Sequence, residues 1–357
     1  MKIIIGKSTL EMHLRYLQNF LDKRDSSQIT SHLYFEVIDN HLTMKATDYE
    51  MGLETKINIP KKESDGNATV NGKKILDIIS RLKDGEVLLE TDNEFFHIKQ
   101  GKSKFKLPMF DASQFPTFPE TNDNIKINIE ASKFFSSIKK VSPAIDTGPG
   151  QKTELKGALL EIKNYGMNFV ATDTKRLSIV KFNTQTIENL SFILPKRSIV
   201  EILKIFFDET EIYYDKTQLI LKTPQYRFFT KLINGIYPDY EKIIKDNFKN
   251  EIKLPKDKII DSLKLISSLA NNIKLIIKPN EIIFESISNE KSESASTQME
   301  VDTHIDTEIT LGANSKHILD FLTHIDSTEF SLCINEVNMP FSLKDGNFSS
   351  IIMPVIF

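Results

Sequence analysis

Apolar residues recur along this chain at two spacings. Six windows carry them at a helical period. These are Ser8 to Leu21 (Leu10, Leu14, Leu17), Gly72 to Leu82 (Ile75, Leu76, Ile79) and Ala131 to Val141 (Phe134, Phe135, Ile138). The other three are Lys196 to Phe206 (Ile199, Val200, Leu203), Lys256 to Leu269 (Ile259, Ile260, Leu263, Ile266) and Asn314 to Ile325 (Ile318, Leu319, Leu322). Ser8 suits a helix cap, and Pro195 and Pro255 stand just before two of the starts. Between the windows, short runs alternate apolar with polar residues, as in Glu86-Val87-Leu88-Leu89-Glu90 and Phe95-Phe96-His97-Ile98-Lys99, and predict strands.

The windows form three pairs, and each pair recurs about 120 residues after the last. The intervening frame recurs too. Leu33 to Val37, a polar turn and Leu42-Thr43-Met44-Lys45-Ala46-Thr47-Asp48 read as a hairpin. Ala158 to Ile162, a turn at Asn164 to Gly166 and Asn168-Phe169-Val170-Ala171-Thr172-Asp173 read as a second. A third, Ile273 to Ile277 followed by Pro279-Asn280 and Ile282-Ile283-Phe284, lacks the Ala-Thr-Asp. Unit ends match as well: Phe105-Lys106-Leu107 leads to Phe115-Pro116, and Phe229-Thr230-Lys231-Leu232 leads to Tyr237-Pro238-Asp239-Tyr240. The expectation is three tandem copies of one α+β domain, 1–123, 124–247 and 248–357, each with two helices packed on antiparallel sheets. Asp111 to Asn124 and Asp146 to Lys152 read as loops, and the polar stretch Ser286 to Glu300 as an edge strand or a mobile loop.

Composition places the chain among soluble globular proteins, at 40% apolar and 27% charged over 357 residues. The apolar run at the amino end is too short for a signal peptide, and no segment reaches membrane-span length. Cys333, the only cysteine, has no internal disulfide partner and reads as a small buried residue in a reducing compartment. The expected location is cytoplasmic, associated with the nucleoid.

A net charge of −3 argues against a simple basic nucleic-acid binder, but the charge is segregated. The six helical windows hold more than twice as many Lys and Arg as Asp and Glu, and the remainder is net acidic. Helices sharing one face would offer a polyanion positive potential while the outside repels it. No aromatic residues interleave with these cations, which favours contact with a duplex backbone over base stacking.

Ala171-Thr172-Asp173 followed by Arg176-Leu177, Tyr237-Pro238-Asp239-Tyr240, a carboxyl end built on Met353-Pro354 and the threefold repeat together resemble the bacterial sliding-clamp family, the β subunit of DNA polymerase III. That resemblance implies three DNA-clamp domains per chain and a homodimeric six-domain ring around double-stranded DNA, with no catalytic activity, cofactor or metal. It implies DNA-side residues Arg24, Lys73, Lys74, Gln151, Lys152, Lys196, Arg197 and Lys204. It also implies a pocket for partner peptides between the second and third domains, formed by Leu155, Thr172, Thr174, Lys175, Arg176, Leu177, Pro238, Lys242, Ile243, Asn314, His317, Ile351, Met353, Pro354 and Val355. Partners implied are the polymerase III catalytic subunit, the clamp loader, other polymerases, ligase and mismatch-repair proteins. At the dimer seam Phe105 and Leu107 would face Leu265 and Ile266, with Lys104 and Lys106 near Glu290, Glu293 and Glu300. Thr174-Lys175 stands where many relatives carry Gly-His, Lys242 where Arg is common, and Val355-Ile356-Phe357 is more apolar than many relatives' ends.

Two other classes are weighed against this. A metal-dependent hydrolase using Asp48 and Asp173 would need several convergent oxygen ligands, and acids repeated in equivalent places read as turn residues. The seven histidines show no ligand spacing, and Gly148-Pro149-Gly150 lacks the Lys-Ser or Lys-Thr of a phosphate loop. A peptide-binding scaffold of tandem domains that never encircles DNA would share the pocket but need no basic helix face.

Overall fold

The computed structural model describes all residues except 23, 25–27, 123, 151, 184–188, 208 and 288–292. Six α-helices appear among the described residues: α1 (Lys7–Leu17), α2 (Gly72–Arg81), α3 (Ala131–Val141), α4 (Lys196–Ile205), α5 (Lys256–Ser267) and α6 (Ser315–Leu322). Each falls in a predicted window. α1 stops short of its predicted end because the chain tightens into a 3-10 turn over Gln18–Phe20, which keeps Phe20 buried. No helix among the described residues is long and apolar enough to cross a membrane.

All strand pairing is antiparallel, in four sheets. Two have eight strands, and these explain how the repeats connect. One runs Ile125–Lys126, Glu211–Tyr214, Gln218–Lys222, Tyr226–Lys231, Met51–Asn58, His41–Thr47, His32–Ile38, Gly66–Asn71. The other runs Leu190–Pro195, Gly157–Lys163, Gly166–Thr172, Arg176–Phe182, Phe348–Ile352, Phe341–Asp345, Glu329–Ile334, Asn250–Pro255. Each is a fusion of strands from two successive repeats. The first seam pairs Tyr226–Lys231 with Met51–Asn58, the second pairs Arg176–Phe182 with Phe348–Ile352. Gly52 lies on the first seam because a Cβ there would sit 2.4 Å from the Phe229 ring and 2.9 Å from Phe118.

This sharing divides the chain into two compact units, 1–132 with 200–232 and 133–199 with 233–357. The middle repeat contributes to both, so contacts alone do not separate three domains. The first unit also holds the five-stranded sheet of Lys2–Gly6, Lys61–Ser64, Glu86–Thr91, Phe95–Gln100 and Ser103–Pro108. The second holds a four-stranded sheet, Ser296–Glu300, Glu281–Ser286, Asn272–Ile277 and Ile309–Asn314. The polar stretch before residue 300 therefore supplies an edge strand over Ser296–Glu300.

Strand alternation fixes two faces of the eight-stranded sheet in the second unit. One face carries Phe169 and Phe348 and meets helices: Phe134 of α3 packs edge-on to Phe169, and Phe321 of α6 stacks on Phe348 at 4.8 Å. The opposite face carries Leu159, Val170, Leu177, Ile179, Ile193 and Ile351, closed over by Tyr240 and by the half-buried Ile233, Tyr237 and Ile244.

Candidate functional site

The repeated Ala-Thr-Asp is a turn device. Asp173 Oδ1 accepts from the Lys175 and Arg176 amides, each at 3.0 Å, and Thr172 Oγ1 donates to the Arg176 carbonyl at 2.6 Å while accepting from the Thr174 amide. The first copy repeats this atom for atom: Asp48 Oδ1 accepts from the Glu50 and Met51 amides, and Thr47 Oγ1 donates to the Met51 carbonyl. Thr174 and Tyr49 occupy the same left-handed position, with φ of 71° and 70°. Each acid is saturated by its own loop, an Asx-turn arrangement that leaves little for a cation. Among the described residues no group of three or more His, Cys, Asp or Glu is placed to hold a metal.

What distinguishes the second copy is Arg176, in the place of Met51. Its side chain turns to the helix face of the sheet, opposite to Leu177, and is only 7% exposed. There Nε donates to Asp173 (3.1 Å), Nη1 to Asp320 of α6 (2.7 Å) and Nη2 to the Pro143 carbonyl just past α3 (2.5 Å). Arg176, expected in the pocket, is almost wholly buried, and its guanidinium is engaged by three protein acceptors. The positive charge is felt nearby. Burial first, and then Arg176, pushes His317 below its ordinary range, and the same two causes lower Lys196.

Around the turn the chain collects the other expected pocket residues unevenly. Leu177 pairs with Thr172 on one side and Ile351 on the other, so these three lie side by side on the outer face. Tyr237 pins the loop above them by accepting from the Thr172 amide at 3.1 Å, and burial raises its phenol above the usual range. Tyr240 bonds Asn168 and Glu161, which leaves Pro238, Lys242 and Ile243 exposed on the loop's outside. Lys242 pairs with Asp239 at 2.8 Å. The carboxyl end continues the sheet: the Met353 amide donates to the Lys175 carbonyl, and the Val355 amide to Gly312, both at 2.9 Å. Met353 is 48% exposed, and Pro354 and Val355 are half-buried. Asn314 caps α6 through the Lys316 amide at 3.0 Å. Leu155, like Leu177, is buried at 3% exposure.

Sequence reasoning missed two kinds of residue here. Phe341 pairs with Ile352, which brings the turn before it to the end of the sheet where Met353 emerges. That turn exposes Val337 (49%) and Met339 (45%), two large apolar residues in a turn, a mismatch that was readable in Glu336-Val337-Asn338-Met339-Pro340. Gly312 is the other. A Cβ there would meet the Val355 carbonyl at 2.1 Å, and nothing local in the sequence announces so distant a contact.

The expected DNA-side cations are only partly free. Lys73 and Lys74 are exposed at the start of α2, beside a groove of about 650 Å³ that also holds Asp22, Asn71 and Asp77. Lys152 and Arg197 are exposed. Arg24 reaches out but bonds Asp22 at 2.8 Å, and Lys204 pairs with Glu201 at 2.8 Å. Lys196 departs from expectation: it is half-buried and donates to the Ile145 carbonyl at 3.3 Å. Gln151 lies outside the described residues, as does Glu290 of the expected seam. At that seam Phe105 and Leu107 sit on the outermost strand of the five-stranded sheet, half-covered. Ile266 was expected beside them but is 2% exposed, facing its own core, whereas Leu265 on α5 is 64% exposed. One step around a helix turns a residue by about 100°, so the neighbour is the available one.

Models of the N-terminal, central and C-terminal domains of the DNA polymerase III beta subunit match residues 1–119, 128–239 and 241–356. The chain is 42% identical over 354 residues to the beta sliding clamp of Helicobacter pylori strain 26695, covering 97% of this chain and 94% of that one. It is 24% identical to the Bacillus subtilis beta sliding clamp, covering 100% and 99%. Among solved structures, the Helicobacter pylori beta clamp bound to a DNA ligase peptide aligns over 100% of both chains, with TM-score 0.95 and 41% identity. A Pseudomonas aeruginosa DNA polymerase III subunit beta shares the fold at TM-score 0.90 and 21% identity, again over 100% of both chains.

Proposed function

The chain belongs to the DNA polymerase III beta subunit family, the bacterial sliding clamps, and from that membership we propose that two copies close head to tail into a six-domain ring around duplex DNA. One observation carries the ring. Two seams between successive repeats are closed inside the chain, and the strands free to make a third are the counterparts of those already used: Ser103–Pro108 in the first repeat and Ser296–Glu300 in the third. An edge strand with half-covered Phe105 and Leu107 is the kind of open ladder that invites pairing. Leu265, rather than Ile266, meets them, and Glu293 and Glu300 lie within the same stretch as that free edge for Lys104 and Lys106.

The charge on the helices supports DNA as the occupant of the ring. Lys73, Lys133 and Lys316 stand exposed in the first turns of α2, α3 and α6, none of which has an acid there, whereas Lys7 pairs with Glu11 and Lys196 and Lys256 donate to backbone carbonyls. Cations at helix N-termini work against the macrodipole at about 0.3–1 kcal/mol each, so this arrangement serves something other than helix stability. A polyanion gains from both charge and dipole. Borders near 123 and 247 divide the chain into domains, and the ring has no catalytic step, tethering the polymerase III catalytic subunit, the clamp loader, other polymerases, ligase and mismatch-repair proteins through the surface around Thr172, Leu177, Ile351 and Met353. Binding of a DNA ligase peptide by the Helicobacter pylori relative supports that assignment.

The test is retention. Labelled protein loaded by its clamp loader and ATP onto a nicked circular duplex will survive a high-salt wash and leave once the circle is cut. Loss in the wash would mean plain electrostatic binding. For the seam, Leu107→Asp and Leu265→Asp will each yield monomers by light scattering at micromolar concentration; an unchanged mass for both would remove the assignment.

A further inference from the structure

The outer face of the second unit's large sheet does not end at the pocket. Past Leu177 and Ile351 it runs into a groove of about 570 Å³ with an apolar floor at Ile179 and Ile351. Its rim is cationic: Lys181, Lys245 and Lys344 line it with one acid, Asp246. No carboxylate partner engages any of these three lysines among the described residues, although Lys344 lies 4.5 Å from the centroid of the Phe248 ring. The neighbouring groove under Pro238 behaves differently. There Glu161 and Glu241 share Lys163, at 2.9 and 2.8 Å, and Asp239 holds Lys242, so both lysines are already paired and acids outnumber them three to two.

Resting on the peptide-pocket reading above, we infer that this groove is the docking channel for an acidic flank of the partner peptide. The two surfaces share Ile351 and one sheet face; Leu177 lies in the cluster closed over by Tyr237, Tyr240 and Ile244, and Ile244 also lines the groove, so a chain held against the exposed Met353 and Ile243 meets the groove at its Ile244 wall. Leu177 and Lys181 are four strand residues apart, roughly 13 Å at the usual rise. A peptide in extended form therefore places its third to fifth residue from the apolar anchor among the lysines. Exposed charge pairs are individually weak, and three unpaired cations around one channel act together, chiefly at low salt.

Two sets of three peptides, one set for each flank, with the same apolar motif and a Glu-Glu, Gln-Gln or Lys-Lys pair three to five residues away, test this by fluorescence polarisation with the full chain. On one flank the Glu-Glu peptide will bind about tenfold more tightly than the Lys-Lys peptide at low salt, with Gln-Gln between them. Raising the salt, or combining Lys181→Gln, Lys245→Gln and Lys344→Gln, will bring the three together while leaving the Gln-Gln peptide unchanged. Equal affinities on both flanks in the parent protein would overturn the inference and leave the pocket standing. Failure of every peptide to bind would overturn the pocket reading, and this inference with it.

Discussion

Replacing Arg176 by alanine will destabilise the second unit by about 3 kcal/mol, the low end of the cost of removing one partner from a buried charge cluster. The guanidinium is buried and is the common partner of Asp173, Asp320 and the Pro143 carbonyl, which come from a turn, from α6 and from the end of α3. Without it, Asp320 loses the counter-ion it now shares with the hairpin. Asp173 keeps its two amide donors, which holds the cost near 3 rather than 5 kcal/mol. Arg176→Lys will recover only part of the loss, because a single ammonium on a flexible stem cannot serve three acceptors spread around a planar fork. Urea unfolding followed by amide exchange in α6 and in the strand Arg176–Phe182 reports the transition of this unit. A change below about 1 kcal/mol would show that water replaces the guanidinium freely, and the bracing role would fail. Any loss of peptide binding in Arg176→Ala has to be weighed against this loss of fold.

The same residue marks how far the sequence could be read. The repeat was legible because its signals are local: a helical period survives in each window, and the Thr and Asp side chains make the same turn bonds at Thr47-Asp48 and Thr172-Asp173. The direction of a side chain was less so. Alternation says that Arg176 and Leu177 point apart, but only the packing of α3 and α6 says which direction is inward. Lys196 illustrates the same limit, since the resemblance implied an outward, DNA-side cation and its reach to the Ile145 carbonyl is set by another segment. The resemblance named both Leu265 and Ile266 at the seam, and only the packing of α5 separates the exposed residue from the buried one. The fusion of sheets across repeats was not readable at all. Pairing of Arg176–Phe182 with Phe348–Ile352 joins strands far apart in the chain, and the strand pattern is the same whichever neighbour is chosen.

That long-range pairing is also what makes Gly312 decisive, and Gly312→Ala will weaken binding of a peptide with Leu and Phe anchors at least tenfold, about 1.4 kcal/mol. Gly312 has no left-handed backbone to satisfy; it is needed for space. A methyl group would stand 2.1 Å from the Val355 carbonyl and 2.8 Å from the Phe357 ring, and a backbone carbonyl held by its own chain cannot yield as a flexible side-chain tip does. The strand Ile309–Asn314 is held by its ladder to Asn272–Ile277, so the weaker partner moves: the carboxyl end lifts from Pro354 onward. The bond from the Val355 amide to Gly312 breaks, while the bond from the Met353 amide to Lys175 keeps the preceding residue in place. The proposed pocket then loses Val355, a partial loss of the apolar anchors that dominate such interfaces. Unfolding free energy will change by less than about 1 kcal/mol, because no buried ladder is broken. Deletion of residues 354–357 will match Gly312→Ala in peptide affinity if the tail acts through its position. Parent-like affinity in Gly312→Ala, together with loss of exchange protection at the Val355 amide, would show that the lifted tail contributes nothing to the site. Retained protection there would show that the tail makes room for the methyl group, and the steric premise would fall.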